Sequence, residues 1–134
     1  MTQQNSESYG RYVETMKGRT KGLALEAIRL LRTLPRDEVS RVIGRQLLRS
    51  ATSVGANYRA ACRIRTAKEF SAKLRIVVEE TDETQYWIEL VTESGIRPEA
   101  ATRAIYKEAT ELTAIFTRAL ETARRKLRDM KKPL

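Results

Sequence analysis

"RQLLRSATSVGANYRAACR", residues 45–63, is the stretch whose reading decides the fold. It holds Gly55 and Asn57, both poor helix formers, among Arg45, Arg49, Arg59 and Arg63. On a helical wheel at about 100° per residue, Ile43, Leu47, Ala51, Val54, Tyr58, Ala61 and Cys62 share one sector about 100° wide. Arg41, Arg45, Arg49, Arg59 and Arg63 share a second, separate sector about 80° wide. The stretch therefore reads as an amphipathic helix, with one face for packing and one for something negatively charged. Gly55 sits at the margin of the apolar sector. Its expected use is close approach of a neighbouring helix, at a cost of about 1 kcal/mol in propensity. Ser50, Ser53 and Asn57 line the edge of that sector. They are read as bonding backbone or a facing helix, in preference to forming a functional site.

The same periodicity extends to either side. In "LALEAIRLLRTLP", Leu23, Ala27, Leu30 or Leu31, and Leu34 recur at three- and four-residue spacing. Pro35 stops that helix. The second helix begins at Asp37, with Glu38 in the first turn where the helix dipole favours acid, and runs to about Ile64. The third opens near Thr66, with Glu69 completing a capping box, and runs to Ser94 before Gly95. The fourth has Pro98 in its first turn. Its ladder is Ile105, Ala109, Leu112, Phe116, Ala119 or Leu120, Ala123, Leu127 and Met130, a bundle seam. No strand-like alternation occurs. Four helices with short links predict an all-α, antiparallel up-and-down four-helix bundle. Residues 1–20 are polar and punctuated by Gly10 and Gly18. They are read as a partly disordered lead-in with at most a short helix around Tyr12, Val13 and Met16. Residues 21–130 are read as the bundle and 131–134 as a basic tail.

A chain of 134 residues fits one domain. With 32% charged and 41% hydrophobic residues, its composition is globular and not that of a disordered chain. Twenty-six Lys and Arg against 17 Asp and Glu leave +9, which favours polyanions: nucleic acid, an acidic protein or an anionic membrane surface. Cys62 is the single cysteine. It excludes an internal disulfide, fits a reducing compartment and is read as a small buried hydrophobe. Histidine is absent from the sequence. That removes the usual general base, Ser-His and Cys-His dyads, most zinc and copper sites, and the Glu-x-x-His pattern of di-iron bundles. No glycine-rich phosphate loop is present. No apolar run reaches the length that crosses a bilayer, and "MTQQNSESYGR" contains no apolar signal segment. A cytoplasmic protein without cofactor, metal or membrane partner is expected. An enzyme reading rests only on Glu79, Glu80, Asp82 and Glu83, a carboxylate group of the kind that binds Mg²⁺, and is the least favoured.

The third helix reverses the charge: residues 67–95 hold three basic and seven acidic side chains. Phe70, Leu74, Val77, Val78, Thr81 and Ile88 form its core stripe. Ala72, Ile76, Trp87 and Leu90 form a second, with Glu79, Glu83 and Tyr86 interspersed. Two apolar stripes need two partners. Either one wide core buries both, or the second is a subunit interface centred on Trp87. The interface is the preferred reading. It would comprise Ile76, Glu79, Glu83, Trp87 and Leu90, with Glu79 and Glu83 meeting arginines of a neighbouring chain. The last segment, "RRKLRDMKKPL", carries Arg124, Arg125, Lys126 and Arg128. It is either a solvated helix end, where the dipole favours cations, or a phosphate-binding arm. The five arginines of the second helix repel one another. They need carboxylates within an assembly or phosphates from outside, both of which suit the planar guanidinium fork.

"RQLLRSATSVGANYRAACR" followed by "KEFSAKLRIVVEETDETQYWIEL" resembles the four-helix-bundle family named after proteins encoded in 23S ribosomal RNA intervening sequences. Gln46, Ser50, Ser53, Gly55, Asn57, Phe70, Glu83 and the Tyr86–Trp87 pair carry the resemblance. It covers roughly Leu23 to Gly95, and the last helix by pattern only. It implies a four-helix bundle and a homopentamer. The chain is also similar to the accessory proteins of diversity-generating retroelements, which implies a basic pentamer that works with a reverse transcriptase and binds nucleic acid. The family offers no catalytic residue to carry over, and it favours a helix-packing role for Ser53 and Asn57.

Two readings follow. The leading one is a non-enzymatic, oligomeric, basic bundle that binds RNA or RNA–DNA by phosphate contacts. The candidate contacts are Arg41, Arg45, Arg49, Arg59, Arg63, Arg124, Arg125, Lys126 and Arg128. The alternative is an adaptor whose basic surface docks an acidic protein. Few aromatics are expected to be free for stacking on bases, so no sequence readout is expected.

Overall fold

The computed structural model describes residues 2–131. Four α-helices account for nearly all of it: α1 Gln3–Leu31, α2 Glu38–Cys62, α3 Ala67–Glu93 and α4 Glu99–Met130. There is no strand among the described residues. Each helix packs on its neighbours in chain order, and α1 meets α4 more sparsely than the other pairs meet. The core is one continuous cluster that draws Leu23 and Ala27 from α1, Leu47, Ala51, Val54 and Tyr58 from α2, Leu74, Val77 and Ile88 from α3, and Leu112 and Phe116 from α4. The tilted Tyr58 and Phe116 rings meet with centroids 5.1 Å apart.

Helix starts follow their capping residues. Asp37 accepts from the Ser40 amide at 2.9 Å, and Thr66 accepts from the Glu69 amide at 3.3 Å. Each satisfies an amide that the first turn leaves unpaired. At the end of α3, Gly95 takes φ +81°, the left-handed conformation that a glycine adopts without steric cost. Pro98 precedes α4 as its cap, without a side-chain capping bond, instead of lying in its first turn.

Two expectations change. Residues 3–20 are helix and not a lead-in, because α1 runs unbroken through Gly10 and Gly18. The physical reason is that the buried stripe starts earlier than Leu23: Met16 and Thr20 are already in the core. Burying that turn outweighs the propensity cost of the glycines, and Thr2 caps the start by accepting from the Asn5 amide. The expected basic tail falls mostly on residues 132–134, outside the described residues. Lys131 forms the cap of α4.

The core contains more hydroxyls than its apolar pattern announces: Thr20, Ser40, Ser50, Ser71, Thr81, Thr84 and Thr102 are buried. Most return a hydrogen bond to their own helix. Thr84 donates to the Glu80 carbonyl at 2.7 Å, and Ser50 to that of Leu47 at 3.2 Å. Such back-bonding satisfies the hydroxyl while keeping the side chain small. Two pairs also join helices: the Thr84 and Ser50 hydroxyls lie 3.1 Å apart, and those of Thr92 and Thr102 lie 2.7 Å apart. Along α3 and α4 the contacts run in opposite senses, from Thr92–Thr102 through Glu89–Tyr106 to Gln85–Thr110 and Gln85–Thr113.

Gly55 faces α1 as its spacing predicts. A Cβ there would lie 3.3 Å from Thr20 Oγ1 and 3.5 Å from the Thr20 carbonyl carbon. Gly22, by contrast, has nothing within 4 Å of a built Cβ. Gly22→Ala should therefore raise stability by about 0.5–1 kcal/mol, while Gly55→Leu should lower it by about 1–3 kcal/mol. Urea unfolding of both variants measures this. Shifts in the same direction would mean that α1 and α2 do not meet at Thr20.

Candidate nucleic-acid interface

The arginine stripe of α2 forms as one exposed face, but its five members do not remain equivalent. Arg49 lies mid-helix and turns onto α3. Its Nη1 is 3.3 Å from Glu80 Oε2, its Nη2 donates to Glu83 Oε1, and its Nε donates to Gln46 at 3.2 Å. Arg41 pairs with Glu38 at 2.9 Å in an exposed contact. Arg45, Arg59 and Arg63 are exposed and make no ion pair among the described residues. From Arg41 to Arg63 the stripe spans roughly 33 Å at the helical rise, so the Arg49 clamp divides it into two zones.

The first zone is a basic corner at the α1–α2 link, where a shallow groove is lined by Arg32, Arg36, Arg41 and Arg45. The second draws on all four helices. The start of α1, the end of α2, the start of α3 and the end of α4 line one cavity, with Tyr9, Tyr12, Tyr58, Cys62, Phe70, Phe116 and Lys126 among its walls. The three segments that meet there, residues 3–16, 56–75 and 119–131, hold twelve basic residues against five acidic ones. That end carries a net +7 of the chain's +9. Arg124, Arg125, Lys126 and Arg128 are all exposed there and have no ion pair among the described residues. Arg11, Arg65, Lys68 and Lys73 join the same end, although no sequence pattern singles them out. They sit on segments whose proximity only the fold creates.

Within the single chain, the residues expected at a subunit interface are placed as follows. Trp87 is half-buried and packs against the core cluster of its own chain. Its indole N–H donates to Glu83 Oε1 at 3.1 Å. Glu83, expected to meet an arginine from a neighbouring chain, is already held by Arg49 of its own. Glu79 lies within 3.8 Å of Arg75, one turn away. Ile76 and Leu90 are half-buried, and Tyr86 is exposed with its ring edge-on to Trp87 at 5.0 Å. The two surfaces that the sequence presents separately thus meet in one cluster: Arg49, Glu80, Glu83 and Trp87. The carboxylates of α3 form no metal site: among the described residues no group of three or more possible ligands gathers. None of the described helices is long and apolar enough to cross a membrane.

Electrostatics inside the cluster oppose one another. The Arg49 hydrogen bond holds the Glu83 carboxyl below the usual range, with the Trp87 hydrogen bond acting in the same sense. Burial pushes Glu80 up, against the attraction of Arg49. Depression at Glu83 means that its charged form contributes stability above the unfolded-state pKa, and that this is lost as pH falls through the folded value. Burial of Glu80 works the other way: the neutral form is favoured, so its ionisation opposes folding as pH rises. A second bridge closes the α1–α4 seam, where Arg19 Nε donates to Glu108 at 3.0 Å and its Nη2 to Glu111 at 2.9 Å.

Trp87 is the sole tryptophan, so its fluorescence reports this cluster directly. An acid titration should show a transition below the ordinary glutamate range, as Glu83 takes a proton and releases the indole N–H. In Arg49→Gln that transition should move upward, because the largest depressing influence is gone. An unmoved transition would mean that Arg49 does not hold Glu83 in solution.

Comparison with known proteins agrees with this architecture. The sequence model of the 23S rRNA-intervening sequence protein family matches residues 15–118. No curated protein shows significant similarity. Among solved structures, the chain is similar to a protein with unknown function from the S23 ribosomal protein family of Bacteroides thetaiotaomicron VPI-5482. That crystal structure, at 1.70 Å resolution, superposes with a TM-score of 0.75 at 28% sequence identity, over 81% of this chain and 97% of the other. With the family match reaching all four helices and the fold shared with that relative, this chain belongs to the 23S rRNA-intervening sequence protein family.

Proposed function

We propose that this chain is a non-enzymatic, cytoplasmic nucleic-acid-binding bundle that holds RNA or RNA–DNA through phosphate contacts. The observation that carries the reading is the concentration of a net +7 on one end of the molecule. Arg59, Arg63, Arg124, Arg125, Lys126 and Arg128 make no ion pair there among the described residues. Cations clustered on one surface repel each other. A phosphate backbone relieves that repulsion and releases its own counterions. The family's name ties its members to 23S rRNA intervening sequences, which favours RNA as the polyanion. The bundle is taken as antiparallel and up-and-down, supported by the opposite running of contacts along α3 and α4.

The proposal includes self-association, with the homopentamer implied by resemblance as its form. Half-buried Ile76, Trp87 and Leu90 offer an apolar strip on α3 for a second copy, and assembly would multiply the basic end. A partnership with a reverse transcriptase rests on resemblance alone.

Binding should be strongly salt-dependent, with log K falling linearly against log salt concentration. Replacing Arg63, Arg124 and Arg125 with Gln should weaken binding and make that slope shallower by about one for each phosphate no longer neutralised. Replacing Arg103 and Lys107, on the opposite half of α4, should leave the slope unchanged. Fluorescence anisotropy with a labelled RNA across a salt series measures both. An absence of binding at low salt removes the proposal. Light scattering reads the assembly: a mass of one 15.3 kDa chain at working concentration removes that part.

A further inference from the structure

The cavity at the basic end differs from an ordinary packing defect in what lines it. Its volume is about 360 Å³, which is room for a purine with its sugar. Each of the four helices contributes an aromatic wall: Tyr12 from α1, Tyr58 from α2, Phe70 from α3 and Phe116 from α4. Lys126 is the one charged residue among those lining it. Tyr9 and Tyr12 lie nearly parallel beside it, with ring centroids 6.4 Å apart and planes 21° from each other. Tyr9 remains 55% exposed and Tyr12 40%, so both rings can be reached from solvent. Burial and the neighbouring Tyr9 and Cys62 push the Tyr12 hydroxyl above its usual range.

Exposed aromatic rings cost free energy in water. Here two of them stand beside an aromatic-walled recess, at the end of the molecule that carries most of its positive charge. Nucleobases have flat faces that stack on such rings whatever their sequence, and the phosphates attached to them carry the complementary charge. Bases inside a duplex have no free face to offer. The expectation that few aromatics are free to stack gives way to this placement of Tyr9 and Tyr12, which lie in the part of α1 that reads from sequence as a lead-in.

We propose that this end recognises single-stranded nucleic acid, seating one unpaired nucleobase in the cavity. Tyr9 and Tyr12 stack on that base or its neighbour, and Lys126 meets the adjoining phosphate. Arg63, next to Cys62 in the chain, and Arg125, next to Lys126, extend the phosphate contacts. The inference rests on the phosphate-binding reading above and sharpens it: the ligand is a strand with unpaired bases, and recognition adds stacking to charge.

The test compares a short single-stranded RNA with an RNA duplex of the same length, by fluorescence anisotropy at one fixed salt concentration. The full chain should prefer the single strand. Tyr9→Ala with Tyr12→Ala should weaken single-strand binding by about tenfold and leave the duplex unaffected. Tyr9→Phe with Tyr12→Phe should restore single-strand binding, because stacking uses the ring and not the hydroxyl. Ala123→Leu fills the recess from α4 without adding a π face, and should lower single-strand binding without changing the helical circular dichroism. If both RNAs bind equally and neither the double-alanine nor the leucine variant changes this, the stacking inference is overturned while phosphate binding stands. If neither RNA binds, both fail together.

Discussion

Seating Phe116 against Tyr58, with Leu23, Leu47, Leu74 and Leu112 around them, fixes how far each helix is rotated about its own axis. Burial of a large apolar side chain is worth about 1.5–3 kcal/mol, and each helix contributes several along one stripe. No surface interaction in the molecule competes with that sum. Every surface feature therefore inherits its direction from the core: the arginine face of α2 points outward because Leu47, Ala51 and Val54 point inward. Small hydroxyl residues at the seams, Ser50 against Thr84 and Thr92 against Thr102, let the helices approach without leaving a polar group unsatisfied.

Rotation alone does not decide which cations are left over. That depends on how far α3 slides along α2. In the observed register Arg49 is level with Glu80 and Glu83, so the middle of the stripe is neutralised and its ends are not. The acids of α3 and α4 lie mostly away from the end where α2 stops and α4 runs out. Arg59 and Arg63 at the end of α2, Lys68 and Lys73 of α3 and the last cations of α4 gather there, and the chain becomes electrically lopsided. A molecule of this kind presents one end to a polyanion and holds its opposite charges in internal bridges such as Arg19 with Glu108 and Glu111.

The helices are legible because their stripes are long and regular and their caps are chemically distinct. Asp37 and Thr66 cap through their side chains, and Gly95 takes a positive φ because it has none. The first half of α1 is not legible in the same way, because glycine propensity is a local quantity, whereas the helix is held by Met16 and Thr20 in the shared core. Thr20, Thr84 and Thr102 do not stand out as core residues, because bonding back to a carbonyl one turn earlier is open to any helical threonine, the exposed Thr52 and Thr110 included, and the packing of neighbouring helices decides which ones are buried. The second apolar stripe of α3 is readable as a set of residues. Its allocation between core and surface is not, since the place of Trp87 at the core edge, with its indole N–H on Glu83 and Glu83 on Arg49, depends on how α2 and α3 pack.

The helical class, the four segments, the face each one buries and the surplus of arginine on one side of α2 are all written in the spacing of residues. Spacing acts within a single helix at 3.6 residues per turn, so no partner is needed to read it. The meeting of Arg49 with Glu83 from 34 positions away belongs to a different level. So do the enclosure of one recess by Tyr9, Tyr58, Phe70 and Lys126 and the gathering of most of the net charge at a single end. These depend on the register between helices, and register is set by the packing of all four stripes together, which no one segment encodes.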